Sequence, residues 1–319
     1  QSGADLPLLK PLTRPSDTLS PSDGERAGLP AAPNAAQAGV RGAPDPTVRT
    51  NLPARPEAGF FGRRRELWDI EQWFVDKTRR ITLTGFGGQG KTALAEEAGR
   101  WLTRAGMFQA AVMLRYNQMP STDALGVAVS NLGSVLGESL LDANAAKEAL
   151  RNTPTLVILD NLEALAPGPL RQLLDAAVGW SEAGGSRVLC TTRKPDFGHP
   201  YYRVEGTFVH RRIVLEGLGR RDAPEDALEW FAELRKLPPP PTVPEAPARE
   251  ALIELFDRVK FHPLSLRVLA GQLKTRRPAE LGRRLEQLLA PRGAEGATSA
   301  ATDETLPELV ASLQLSLDQ

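Results

Sequence analysis

Eight residues, Gly85-Phe-Gly-Gly-Gln-Gly-Lys-Thr92, restrict this chain more than any other feature. They follow a β-rich run, Arg80-Ile-Thr-Leu-Thr84, and open an amphipathic helical pattern that continues to residue 104. The spacing G-x-x-x-x-G-K-[ST] therefore falls at a strand-to-helix turn. Glycines there let the backbone fold tightly enough for successive N–H groups to converge, and the helix N-terminus adds its partial positive charge. The partner of such a cradle is an anion. A lysine followed directly by a hydroxyl suits a polyphosphate and its magnesium ion.

The surrounding pattern supplies the sheet that such a turn needs. Short β-rich runs at 81–84, 110–114, 155–159, 187–191 and 212–215 alternate with helical periodicity at 64–76, 91–104, 121–136, 143–151 and 168–180. This alternation predicts an α/β domain, a parallel sheet covered by helices on both faces, over residues 58–218. Beyond it the strand signal stops, and helical patterns at 223–236, 249–260, 263–274 and 278–289 predict a small all-helical lid over 219–290. Residues 1–57, rich in Pro, Gly and Ala, read as a linker, and 291–319 as a linker leading into a further domain. A proline cluster within 238–247 reads as a stiff loop between helices.

Two strand ends add chemistry. Thr155-Leu-Val-Ile-Leu-Asp160 is a buried-strand run ending in a carboxylate, which places Asp160 beside Thr92 as a magnesium residue. The next residue, Asn161, cannot accept a proton, so Glu163 is the candidate for activating water, with a solvated surface glutamate as the alternative reading. Ser186-Arg-Val-Leu-Cys-Thr-Thr-Arg193 ends on the same sheet edge, where α/β sheets bind their ligands, and Arg193 is the candidate for meeting a γ-phosphate. Lys91, Asp160 and Glu163 are the candidate catalytic residues, and Thr92 and Asp160 the candidate metal ligands.

Composition narrows the partners. Lys plus Arg and Asp plus Glu stand at 39 each in 319 residues, so the charge balance favours neither nucleic acid nor an acidic membrane surface. No run is apolar enough over 18–20 residues to cross a bilayer. The single cysteine, Cys190, lies in an apolar strand pattern and implies a reducing, cytoplasmic setting. The five tryptophans fall in helical patterns and are assigned to core packing.

Taken together, these motifs resemble the NB-ARC branch of the STAND signal-transduction ATPases, a family of P-loop NTPases. Gly85 to Thr92 is similar to its narrower G-x-G-G-x-G-K-T loop, Phe61-Gly-Arg-Arg-Arg-Glu-Leu67 resembles its entry motif, Cys190-Thr-Thr-Arg193 its sensor strand, and Phe261-His-Pro-Leu-Ser-Leu266 its G-x-P-L-x-L element. The resemblance implies a nucleotide held by Phe61, Arg63, Gly85, Gly87, Gly88, Gln89, Gly90, Lys91, Thr92, Ala93, Arg193 and Pro263, with the proline packed on adenine. It departs from the family at Asn161 and at Phe261-His262, where His262 reads as a packed or surface histidine. Gln1 to Leu9 resembles the end of a CHAT protease-like domain, and Leu306 to Leu317 the first helix of a winged-helix domain, so the sequence reads as part of a longer protein.

The expectation is an ATP/ADP-binding switch with magnesium, a slow ATPase at most, that regulates an attached effector. Its partners would be the nucleotide, N-terminal effector and C-terminal sensor domains of the same chain, and a nucleotide-dependent homo-oligomer, with no membrane and no direct nucleic acid. A small-molecule P-loop kinase, a STAND-type transcription regulator and a hydrolysis-incompetent ADP-binding module stay open beside it.

Overall fold

The structure, a computed structural model, describes residues 48–57, 59–118, 123–204, 208–235, 249–274 and 276–289. The segment read as the end of a preceding domain, the proline cluster and the segment read as a following domain lie outside these residues.

Six parallel strands form one sheet: β1 (Arg49–Thr50), β2 (Arg80–Thr84), β3 (Ala110–Arg115), β4 (Thr155–Asp160), β5 (Arg187–Thr192) and β6 (His210–Val214), in the order β1-β3-β4-β5-β2-β6. Because side chains alternate along a strand, each central strand feeds two cores. Ile81, Leu83, Met113, Ile158 and Leu189 pack beneath α1 (Arg64–Val75) and α2 (Lys91–Arg104). Val112, Leu114, Val157, Leu159 and Cys190 pack beneath α3 (Ala124–Leu136), α4 (Ala143–Asn152) and α5 (Pro167–Ser181). The expected α/β architecture, with helices on both faces, is the one observed.

Local chemistry sets the helix ends. Asp123 and Asp142 cap α3 and α4 by accepting bonds from backbone N–H groups, and Gly137, at φ 74°, terminates α3 in the left-handed conformation that glycine adopts without strain. Four further helices, α6 (Glu225–Arg235), α7 (Arg249–Arg258), α8 (Pro263–Gln272) and α9 (Pro278–Leu289), bury a separate core around Phe231, Phe256, Leu266 and Leu285. His262 caps α8, and Pro263 occupies its first turn, where the missing N–H costs nothing.

One expectation needs correction. The linker reading extended to residue 57, yet Arg49 and Thr50 pair with Ala110 and Ala111 at the sheet edge. Asn51 exchanges two bonds with the Met113 backbone, Leu52 packs over Gly99, and Arg55 pairs with Glu97. A strand of two residues leaves no periodic pattern to read; long-range pairing holds it. The tryptophans assigned to core packing largely take that place: Trp180 is buried in one sheet core, Trp73 and Trp101 pack half-buried against the other, and Trp230 against the helical core, while Trp68 is half-buried.

Candidate functional site

The loop joining β2 to α2 emerges at the C-terminal edge of the sheet, beside the ends of β4 and β5. Gly85, Gly88 and Gly90 have φ of 143°, 79° and 86°, values in which a side chain would be strained. At Gly85 a Cβ would also come within 2.7 Å of the Leu215 carbonyl oxygen. The turn is therefore written into the glycines twice, by backbone conformation and by clearance.

Lys91 is buried at the first turn of α2, and its Nζ donates to the carbonyls of Gly85 (2.7 Å) and Phe86 (2.9 Å), closing the loop on itself. Burial lowers its pKa, while the Glu163 carboxylate pulls it back up. Thr92 Oγ1 donates to Asp160 Oδ1 at 2.8 Å, as does Thr191 Oγ1 at 2.6 Å. Asn161 Nδ2 donates to the other oxygen of Asp160 at 3.0 Å. Burial raises the Asp160 carboxyl above the usual carboxylate range, and the two threonine hydroxyls counter part of that rise. A hydroxyl bonded to a carboxylate at a phosphate-type loop is a donor set suited to magnesium, with the remaining positions left to phosphate and water. Among the described residues no cluster of three His, Cys, Asp or Glu side chains offers a self-sufficient metal cage.

Because β5 lies between β2 and β4, its end stands between the loop and Asp160. Arg193 follows directly. Its guanidinium lies against Gly87, where a Cβ would meet it at 3.2 Å, and its Nε pairs with Glu163 Oε1 at 3.2 Å. The Arg193 backbone N–H donates to the other oxygen of Glu163. Glu163 is thereby held toward the sheet edge by the residue expected to sense phosphate.

The helical unit roofs the loop. His262, fully buried, bonds through Nε2 to the Gly87 carbonyl at 2.9 Å, and Leu264 sits over Gly88. Sequence reading missed the histidine's link to the loop, since partners so distant along the chain share no local pattern. A trans peptide points its C=O and the following N–H in opposite directions. With the Gly87 carbonyl turned to His262, the Gly88 N–H faces away from the roof.

Between loop and roof lies a cleft of about 420 Å³, within the range of small-ligand sites. The structure brings Gly87, Gly88, Gly90, Lys91, Thr92, Ala93, Arg193 and Pro263 together on its walls. Gly85, Gln89, Asp160 and Glu163 are not among the residues that line it. Phe61 and Arg63 do not line it: Arg63, buried and at φ 58°, bonds to the Gln89 and Glu216 carbonyls and to Glu66, bracing the loop from outside. Trp230, Leu264, Arg267 and Glu96 line the cleft without having been anticipated. Arg267 stands one turn after Pro263, a spacing that puts both on one face of a helix; Trp230 carried no such signal.

No protein-family model matches the chain, and no curated protein sequence matches it. Among solved structures, the crystal structure of Cdc6p from Pyrobaculum aerophilum is similar to 70% of this chain and 62% of its own length, with 16% sequence identity and a TM-score of 0.46. The chain thus spans less than two thirds of that protein. The loop between β2 and α2, the carboxylate at the end of β4 and the parallel sheet that presents them constitute a P-loop NTPase fold. No described helix is long and apolar enough to cross a membrane.

Proposed function

We propose that this chain is an ATP/ADP-binding switch of the NB-ARC type, in which the phosphate loop and the helical roof close on the nucleotide together. One observation carries the reading: residues from both units, Lys91 and Arg193 from the sheet domain and Pro263 from α8, wall a single cleft at the loop. A ligand held there contacts both units, so its identity biases how they sit against each other. Magnesium, when bound at Thr92 and Asp160, supplies charge neutralisation for the phosphates.

The Arg193–Glu163 pair supplies the difference between the two nucleotides. A terminal phosphate competes with Glu163 for the guanidinium, and a diphosphate leaves the pair intact. Asn161 beside Asp160 cannot act as a base, which supports slow turnover and a long-lived bound state. In this reading the switch controls an effector N-terminal to it, answers to a sensor C-terminal to it, self-associates in the triphosphate form, and works in the cytoplasm.

The test is to release and identify the nucleotide that copurifies with the chain. Bound ADP is the expected result. Protein that arrives empty and shows no micromolar affinity for ATP or ADP with magnesium would overturn the proposal.

The metal site has its own test. In the Asp160→Asn variant the carboxylate charge is gone but the shape is kept, so magnesium should no longer strengthen ATP binding. We expect a loss of roughly tenfold in the magnesium-dependent part of the affinity, with metal-free ADP binding held within about threefold, by calorimetry with and without EDTA. An unchanged magnesium response would remove Asp160 from the metal site.

A further inference from the structure

The cleft contains a cation that the loop motif does not account for. Three basic residues line it. Lys91 is bonded to the Gly85 and Phe86 carbonyls, and Arg193 is paired with Glu163. Arg267, on α8, has no hydrogen bond or ion pair among the described residues. The acidic residue on the same walls, Glu96, is already engaged by Arg100 and Arg115. An exposed arginine is ordinarily unremarkable. This one stands on the helix face that also carries Pro263 and Leu264 over the phosphate loop, and it lines the same cleft as Arg193 from the sheet edge.

We propose that Arg267 is a phosphate-contacting residue supplied by the helical unit, which takes the terminal phosphate of a bound nucleoside triphosphate. The inference rests on the nucleotide reading above and adds to it a specificity determinant outside the loop motif. An unpaired guanidinium is a ready bidentate donor for a phosphate, and it gives up no existing ion pair on binding. Arg193 must first part from Glu163, whereas Arg267 starts free. The two arginines approach from different structural units, so a triphosphate held between them draws α8 toward the sheet, and a diphosphate does so less.

The experiment measures binding of Mg·ADP and of a magnesium complex of a non-hydrolysable ATP analogue to the wild-type chain and to Arg267→Ala and Arg267→Lys. Arg267→Ala should weaken the triphosphate by about 10- to 30-fold and the diphosphate by no more than about threefold, and Arg267→Lys should recover part of the difference because it keeps the charge without the fork. Equal losses for both nucleotides, or an unchanged triphosphate affinity, overturn the assignment while the nucleotide reading stands. A wild-type chain that binds neither nucleotide overturns both. Circular dichroism on each variant separates a lost contact from a lost fold, and the exposure of Arg267 predicts that both variants fold as the wild type does.

Discussion

Replacing Lys91 with alanine should abolish tight nucleotide binding while leaving the protein folded. The Nζ group forms two short bonds to loop carbonyls in a buried setting, and burial already lowers its pKa. The same ammonium is the charge best placed to turn from the carbonyls to a polyphosphate, where charge-assisted hydrogen bonds are each worth about 1.5–3 kcal/mol. We expect affinity for ATP and ADP to fall at least about 100-fold, near 3 kcal/mol. Two carbonyls lose a donor, but they belong to a loop at a cleft where water replaces it, so the urea midpoint should move little. Titration of wild type and variant with both nucleotides checks the first claim, and an unfolding curve the second. Retained micromolar affinity in the variant would mean that the loop is a glycine-rich turn without a phosphate role.

Gly88→Val should be nearly as damaging to binding by a different route. Gly88 has φ 79°, a conformation that costs a non-glycine residue about 1–2 kcal/mol, and more when it is β-branched. Its Cβ would approach the Leu264 Cβ to 2.8 Å and His262 Cε1 to 2.9 Å, so the valine must push the roof away from the loop. That displacement breaks the His262 bond to the Gly87 carbonyl, which orients the adjacent Gly88 N–H. We expect nucleotide affinity to fall by at least about 50-fold, together with a loss of about 2–4 kcal/mol in stability from strain and collision. Gly90→Ala is the informative contrast. Gly90 has a similar φ, 86°, but no neighbouring atom within 4 Å of an added Cβ, so the ligand-free variant should lose only the backbone strain, about 1 kcal/mol. Equal melting temperatures for Gly88→Ala and Gly90→Ala in the absence of nucleotide would show that the roof does not press on the loop.

These expectations differ in how much of each was readable beforehand. The loop, the β4 carboxylate and Arg193 were legible because each is a short contiguous pattern whose chemistry depends on neighbours in sequence. The alternation of strands and helices likewise announced a sheet buried on both sides, and Val157, Ile158 and Leu159 could not otherwise all be apolar and all be covered. Arg63 shows the limit of such reading. Its motif was recognisable, yet its guanidinium is spent on the Gln89 and Glu216 carbonyls, and only the fold brings those atoms to it.

What the sequence determined by itself, then, is the identity of the elements and the residues at their ends, since both follow from periodicities of two and 3.6 residues and from the special backbone freedom of glycine. The tertiary structure alone decided which ends meet. It placed β5 between the loop strand and the carboxylate strand, so that Arg193 reaches Glu163. It added Arg49 and Thr50 to the sheet and set α8 over the loop, with His262 on Gly87 and Arg267 on the cleft wall. The physical reason is common to all of these: they are contacts between residues dozens of positions apart, stabilised by burial and hydrogen bonding that exist only once the chain has closed on itself.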